Sequence, residues 1–304
     1  MMSLLLLKQI FQLFIYILLG YILVRLRLIH TEDSVVLSKV TLYTVWPCVI
    51  LDAFQASFST DLMQGLVFTL ALAIAIHIAL LIFTRLVRGL LKLNPSDQAS
   101  VLYSNIGLTI PIVISLVGRE FVIFTSIYIM VQQAFIWTHC RMLLSGEKRF
   151  SIKNLININT ISIVVGILLF LAQMQLPKIA INTITAFSNM FAPISMLVTG
   201  MLIGGTGLQK IVTDWRIWKT SLLRLIVAPL IVLLILKPAL LICSIPNQST
   251  IALVCFLAAS SPAASAVTQL AQVYTPNGGN YAGTINIAST LLCIITMPLV
   301  ISLL

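Results

Sequence analysis

The sequence predicts an all-α, polytopic membrane protein of ten transmembrane helices, arranged as two five-helix repeats of opposite orientation. Three observations carry that prediction. Hydrophobic residues fill 60% of the 304 positions and charged residues only 9%, with a mean hydropathy of +1.09, whereas a soluble domain carries about a quarter charged residues. Lys and Arg are sorted between alternate connections. Gly and Pro landmarks of the first half recur in the second at a nearly constant spacing.

A bilayer span needs about 20 mostly apolar residues. Ten stretches qualify: Leu5–Val24, Val36–Phe54, Met63–Leu86, Ala99–Leu116, Phe121–Leu143, Asn157–Ala172, Ile184–Ile203, Trp218–Leu236, Ile251–Val273 and Ala282–Leu303. Met1 to Leu28 is kept as the first span because its basic residues follow the apolar run and no small-residue cleavage site closes it, unlike a secretory leader. The longest hydrophilic stretch, Ser145 to Lys153, reads as a connector, so no appended soluble domain is expected.

Of the eighteen Lys and Arg, fourteen follow spans one, three, five and seven: Arg25, Arg27, Lys39, Arg85, Arg88, Lys92, Arg141, Lys148, Arg149, Lys153, Lys210, Arg216, Lys219 and Arg224. Lys8, Arg119, Lys178 and Lys237 take the other side. The positive-inside rule therefore puts the odd-to-even connections in the cytoplasm and both termini outside, in a multi-pass protein of the cell membrane. Five spans per half make the second half enter from the opposite side, with residues 1–150 as one repeat and 151–304 as its inverted counterpart. A net charge of +10 would suggest nucleic acid in a soluble chain. Here its position explains it, and no nucleic-acid partner is expected; the lipid bilayer is.

Gly20 and Gly166 lie 146 residues apart, as do Pro47 and Pro193, and Pro111 and Pro262 lie 151 apart. The last pair interrupts two apolar segments with small and polar residues, Ser104-Asn105-Ile106-Gly107-Leu108-Thr109-Ile110-Pro111 and Ser260-Ser261-Pro262-Ala263-Ala264-Ser265. Matched interruptions in the two halves point to the substrate site of a secondary transporter. In hydrocarbon a helix break is tolerated only against protein or a wet cavity. It also creates a new helix N-terminus at depth, with free N–H groups and partial positive charge that suit an anion. In segment nine, Ser260 or Ser261 would be the N-cap and Pro262 the first helical residue, with Ser265, Thr268 and Gln269 completing a polar pocket. In segment four, Asn105, Gly107 and Thr109 lead into Pro111. A single membrane proline reads more simply as a kink; two matched breaks rich in Ser, Asn and Thr favour a site.

Ionisable groups inside spans are costly and usually functional, and this chain has few. Asp52 and Asp61 bracket an outer loop and Glu120 opens span five, so no carboxylate proton relay is expected. His77 reads as a maker of one interhelical hydrogen bond, and His139 as a group of the cytoplasmic end. Thr185, Asn189, Ser195 and Thr199 of span seven either line a substrate path or serve helix packing, and the same two readings hold for Asn286 and Thr290, one turn apart in span ten. Arg224 reads as snorkelling to the cytoplasmic surface, and Trp46 and the five cysteines as packing. No acid–base or metal constellation gathers at one depth, so neither an enzyme nor a cofactor is expected.

Ser260 through Ser265, continued by Leu270-Ala271-Gln272-Val273-Tyr274, resembles the ninth-helix motif of the auxin efflux carrier family. Ser289-Thr290-Leu291-Leu292 with Thr296-Met297-Pro298-Leu299 is similar to its last helix, Tyr103-Ser104-Asn105 leading to Ile110-Pro111 to its fourth-helix crossover, and Leu19-Gly20-Tyr21 to its first helix. The resemblance implies crossed, broken helices four and nine within the bile acid/sodium symporter-like plan. It implies a scaffold domain from helices 1, 2, 6 and 7, a transport domain from helices 3–5 and 8–10, and a homodimer through the scaffold. It further implies carriage of a small carboxylate such as malate or malonate. Together with the broken segments this leads to the expectation of alternating-access transport of a small organic anion held at Asn105, Gly107, Thr109, Pro111, Ser260, Ser261, Pro262, Ser265 and Gln269, with Asn189, Asn286 and Thr290 as a candidate path. The Asn105-to-Pro111 spacing is one residue shorter than the family's usual crossover, and the long central loop of the plant exporters is missing. Two alternatives remain open: a sodium-coupled symporter of bile acid carrier type, or a membrane ligand sensor that transports nothing. The coupling ion, H+ or Na+, is likewise open.

Overall fold

Apolar runs without backbone partners in lipid must satisfy their own N–H and C=O groups, and helices do this within one segment. The computed structural model describes residues 2–55, 60–105, 109, 112–113, 116–118, 121–146, 158–174, 176–206, 213–275 and 278–303, and every regular element among them is helical. The sequence-expected site residues Gly107 and Pro111 lie outside the described residues.

Helix α1 (Met2–Arg25) is followed by a 3-10 turn and α2 (Ser34–Val40), which runs through a π-turn at Thr41–Val45 into α3 (Trp46–Ala53). Pro47 follows the π-turn inside this continuous run, and Val45 and Trp46 before it keep helical backbone, so span two is not severed there. α4 (Thr60–Val87) precedes α5 (Pro95–Leu102). Asn94 caps α5 reciprocally with Asp97: the Asp97 N–H donates to Asn94 Oδ1 at 2.8 Å, and the Asn94 N–H to Asp97 Oδ2 at 2.9 Å. α6 (Val122–Phe135) passes through a π-turn at Ile136–Cys140 into α7 (Arg141–Ser145), closed by Gly146 at φ +72°.

In the second half, α8 (Ile158–Leu171) precedes α9 (Lys178–Asn189) and α10 (Phe191–Thr206), which meet at Met190. Asp214 caps α11 (Trp215–Leu222), and a π-turn at Leu223–Val227 leads into α12 (Ala228–Ile242). α13 (Gln248–Ser260), α14 (Ser265–Tyr274) and α15 (Gly278–Ile301) complete the described chain.

Four runs are long and apolar enough to cross a membrane, Thr31–Asp52, Leu62–Val87, Lys178–Gly205 and Trp215–Ile242; a fifth is added if Gly278–Cys293 and Ile295–Ile301 count as one bent span. Three of them begin before the positions hydropathy gives (Val36, Ile184, Trp218). The early turns are polar, so hydropathy passes over them, yet local start signals such as Asp214 and Pro177 already commit the backbone to helix.

The most extensive helix pairing is α1 along α10. A Cβ on Gly20 would overlap the Leu197 carbonyl, and one on Gly200 the Ile17 carbonyl, so the two backbones touch directly. α8 and α9 both pack on α3, where Gly166 leaves room for the Phe54 ring. Trp46, fully buried, lies against Phe191 with ring centroids 4.5 Å apart. Large apolar residues such as Leu86, Leu234, Leu241 and Ile242 are exposed, a distribution suited to lipid and not to water.

Candidate functional site

Helix α5 ends at Leu102 and α13 at Ser260, and beyond each the chain turns extended. Such residues have no helical partners, so each backbone polar group must be accounted for elsewhere. The two extended segments pair with each other as an antiparallel bridge between Ser104 and Ala263. The Asn105 N–H donates to the Pro262 carbonyl at 2.9 Å, and the Ala264 N–H to the Tyr103 carbonyl at 3.0 Å.

The outward edges of this junction are satisfied by side chains. On one side Gln132 of α6 accepts from the Ser104 N–H (3.1 Å) and hydroxyl (2.5 Å) and donates to the Ser104 carbonyl (2.9 Å). On the other, Ser289 Oγ of α15 accepts from the Ala263 N–H (3.1 Å), and Asn286 Nδ2 donates to the Ala263 carbonyl (2.6 Å). Each half of the chain thus clamps its own extended residue with an amide side chain from a later helix. Thr109 Oγ1 meets Ser261 Oγ at 3.0 Å and joins the two segments once more.

This geometry corrects two expectations. Ser260 and Ser261 close α13 and do not open the next helix, and Pro262 is extended, not the first helical residue; α14 starts only at Ser265, behind Ala264. The bridge is the reason, since residues 261–264 cannot pair with Tyr103–Asn105 and be helical together. The amides of Ser104, Asn105, Ala263 and Ala264 are also consumed internally, so they are not donors for a guest. The remaining donors move to the start of α14, where the Ser265 and Ala266 N–H groups precede the Val267 N–H, itself bonded to the Ala264 carbonyl at 3.1 Å.

Around that turn the polar groups are buried. Ser265, Thr268 and Gln269 are at most 1% exposed, so the junction is closed to solvent in this conformation. Gln269 Nε2 donates to Ser195 Oγ of α10 at 2.9 Å, while Gln269 Oε1, Thr268 Oγ1 and Asn286 Oδ1 have no partner among the described residues. Unpaired buried polar atoms are uncommon and call for an explanation. A 180° turn of the Gln269 amide keeps the Ser195 contact, with the hydroxyl as donor, and directs the NH2 group to the unpaired position.

Arg224 is the residue sequence reasoning misplaced most. It does not snorkel: it is fully buried in the π-turn before α12. Its Nε donates to Ser261 O (2.9 Å), Nη1 to Val101 O (2.9 Å) and Leu102 O (3.4 Å), and Nη2 to Ala259 O (2.5 Å). The helix macrodipole explains the capture, because α5 and α13 both present C-terminal carbonyls at this point and a cation is favoured there. The π-turn points the side chain inward, as such bulges often do at functional sites. Gln132, Ser289 and Tyr103 were also missed; the Gln132-Gln133 doublet inside an apolar run was the available signal.

Other expected residues scatter. His77 bonds within its own helix, Nδ1 to the Ala73 carbonyl at 2.7 Å, stacks on Phe135 at 5.2 Å, and stands beside Gln132 of α6. Thr185 donates to Asp52 Oδ1 (2.7 Å), Asn189 is exposed at the end of α9, and Thr290 Oγ1 donates to the Asn286 carbonyl. The span-seven face is therefore split, with Ser195 reaching the junction. His139 Nδ1 meets the Tyr103 hydroxyl at 2.9 Å and, with Arg85, Arg88 and Gln98, lines a cavity of about 310 Å³. A second cavity of about 390 Å³ lies between Thr31 and Leu202 on one wall and Gln272, Tyr274 and Asn280 on the other.

Membrane-length apolar helices around a buried polar junction define the class: an all-helical integral membrane protein. The model of the membrane transport protein family, that of the auxin efflux carriers, matches residues 5–154 of the chain. That family is one of membrane transporters and not of enzymes. No curated protein matches the chain.

Proposed function

We propose that this protein is a secondary carrier of a small organic anion, a carboxylate, working by alternating access in the cell membrane. The substrate is held at the start of α14, by the Ser265 and Ala266 N–H groups with the side chains of Ser265, Thr268 and Gln269, next to Asn105. The carrying observation is the pairing of the two interrupted helices beside a helix N-terminus whose buried polar neighbours are unsatisfied. Interrupted helices of this kind direct N-termini at anionic substrate groups.

A ten-span, five-plus-five inverted repeat supports this reading, and packing supports the repeat. Gly166 follows Gly20 by 146 residues, and Gly200 follows Phe54 by the same 146. The contact of Gly20 with the Gly200 helix and that of Gly166 with Phe54 are therefore counterparts under one exchange of halves. The amide clamps Gln132 on Ser104 and Asn286 on Ala263 likewise stand one in each half, at a longer spacing of 154 residues. Spans 1, 2, 6 and 7 would be the scaffold and 3–5 with 8–10 the transport domain. The 390 Å³ cavity, walled by Thr31 and Leu202 against Gln272 and Asn280, would lie at their boundary. The termini would face outward, as the charge sorting requires.

Uptake of a labelled three- or four-carbon dicarboxylate into proteoliposomes tests the function. Gln269→Leu with Thr268→Val should raise KM by about 10-fold or more, since hydrogen bonds to a charged group contribute about 1.5–3 kcal/mol. Unchanged KM would reject this site; no uptake of any carboxylate by the unmodified protein would reject the substrate class.

A further inference from the structure

Two helices that stop at the same point each leave carbonyls without intrahelical partners and carry about half a negative charge at that end. α5 and α13 converge in this way, and together they present about one unit of negative charge in a place from which water is excluded. Broken-helix carriers use such carbonyls to coordinate an inorganic cation. Here the carbonyls of Val101, Leu102, Ala259 and Ser261 are all taken by Arg224. Four of the five N–H donors of a guanidinium are thereby engaged, at full burial, and no carboxylate bonds to it among the described residues, whose ion pair is the exposed Asp214–Arg216. A buried arginine normally needs an anionic partner; this one has two helix ends instead.

We infer that the four carbonyls form a cation locus and that Arg224 is its permanent, tethered occupant, so the protein works without Na+ or another inorganic cation at the junction. The positive charge stays with the protein through the cycle, where a coupling ion would enter and leave. Arg224 is in consequence a positioning residue: it holds both interrupted helices in register and leaves the N-terminal side of the junction for the anion. The inference rests on the junction being the transport site, but its test needs no substrate, so the two fail separately.

The experiment is thermal unfolding of the purified full chain in chloride salts of Na+, Li+ and K+, against choline at equal ionic strength, for the unmodified protein, Arg224→Ala and Arg224→Lys. The unmodified protein should melt at the same temperature in all four salts. Arg224→Ala should melt lower in choline and recover by roughly 3 °C or more, saturably, in Na+ or Li+, because an ion that binds only the folded state raises its stability. Arg224→Lys, which keeps the charge, should fold and ignore Na+. A saturable Na+ response of the unmodified protein, or an Arg224→Ala variant as stable in choline as its parent, would overturn the inference. Should Arg224→Ala not accumulate in any salt, Arg224→Lys decides: folding without a Na+ response upholds the tethered cation, and failure to fold despite the retained charge overturns it.

Discussion

Two adjacent glutamines offer a sharp test of the hydrogen-bond accounting at the junction. Gln132 and Gln133 are both fully buried in α6, yet Gln132 makes three hydrogen bonds to Ser104 while neither polar atom of Gln133 has a partner among the described residues. Replacing Gln132 by Leu conserves volume but strands the Ser104 N–H and carbonyl. Each stranded buried group costs about 1–3 kcal/mol, so the loss is about 2–6 kcal/mol. That should lower the melting temperature by at least about 4 °C, given a shift of roughly 2–4 °C per kcal/mol for chains of this size. Gln133→Leu removes an amide that is buried without compensation and should leave the melting temperature unchanged or raise it. Both variants can be followed by tryptophan fluorescence during heating in detergent. Equal destabilisation by the two would refute the reasoning, for it would mean that packing, and not the clamp on Ser104, sets the stability of this helix.

Three further outcomes are expected. Gly200→Val forces a side chain into the Ile17 carbonyl and should separate α1 from α10, costing at least about 1–3 kcal/mol, whereas Gly89→Ala, with nothing within 4 Å, should melt like its parent. Asp97→Asn should destabilise by about 1–3 kcal/mol in the same unfolding assay, because Oδ1 accepts from both Thr220 and Tyr281 and Oδ2 from the Asn94 N–H, and an amide supplies only one acceptor oxygen. Tyr103→Phe removes the hydroxyl that donates to the Phe135 carbonyl at 3.0 Å and meets His139 Nδ1 at 2.9 Å, leaving that carbonyl the Thr138 hydroxyl at 3.5 Å, and should lower the melting temperature by a few degrees, at about 0.5–1.5 kcal/mol for a lost hydrogen bond.

Sequence reasoning reached the helical membrane class because apolar excess and helix start signals act locally. Lys178 and Thr31 show the limit of that logic: their turns are helical although no hydropathy window selects them. At the candidate site the segments around Asn105 and Pro262 were identifiable because Ser, Asn and Pro do not continue an apolar helix, but the direction of capping was read backwards. The capping rule treats one segment at a time, and the extended state of Ser261–Ala264 exists only because Tyr103–Asn105 lies beside it.

Membership of the membrane, the helical state and the points of interruption were therefore written in composition and short-range pattern. The partners of the interrupted backbone were decided by the fold alone. Arg224 reaches carbonyls 35–37 residues away on one side and 122–123 on the other, and Gln132 reaches Ser104 across 28. Solvation preferences belong to each residue wherever it sits, whereas a hydrogen bond requires two groups at one place, and only the packed chain brings them there.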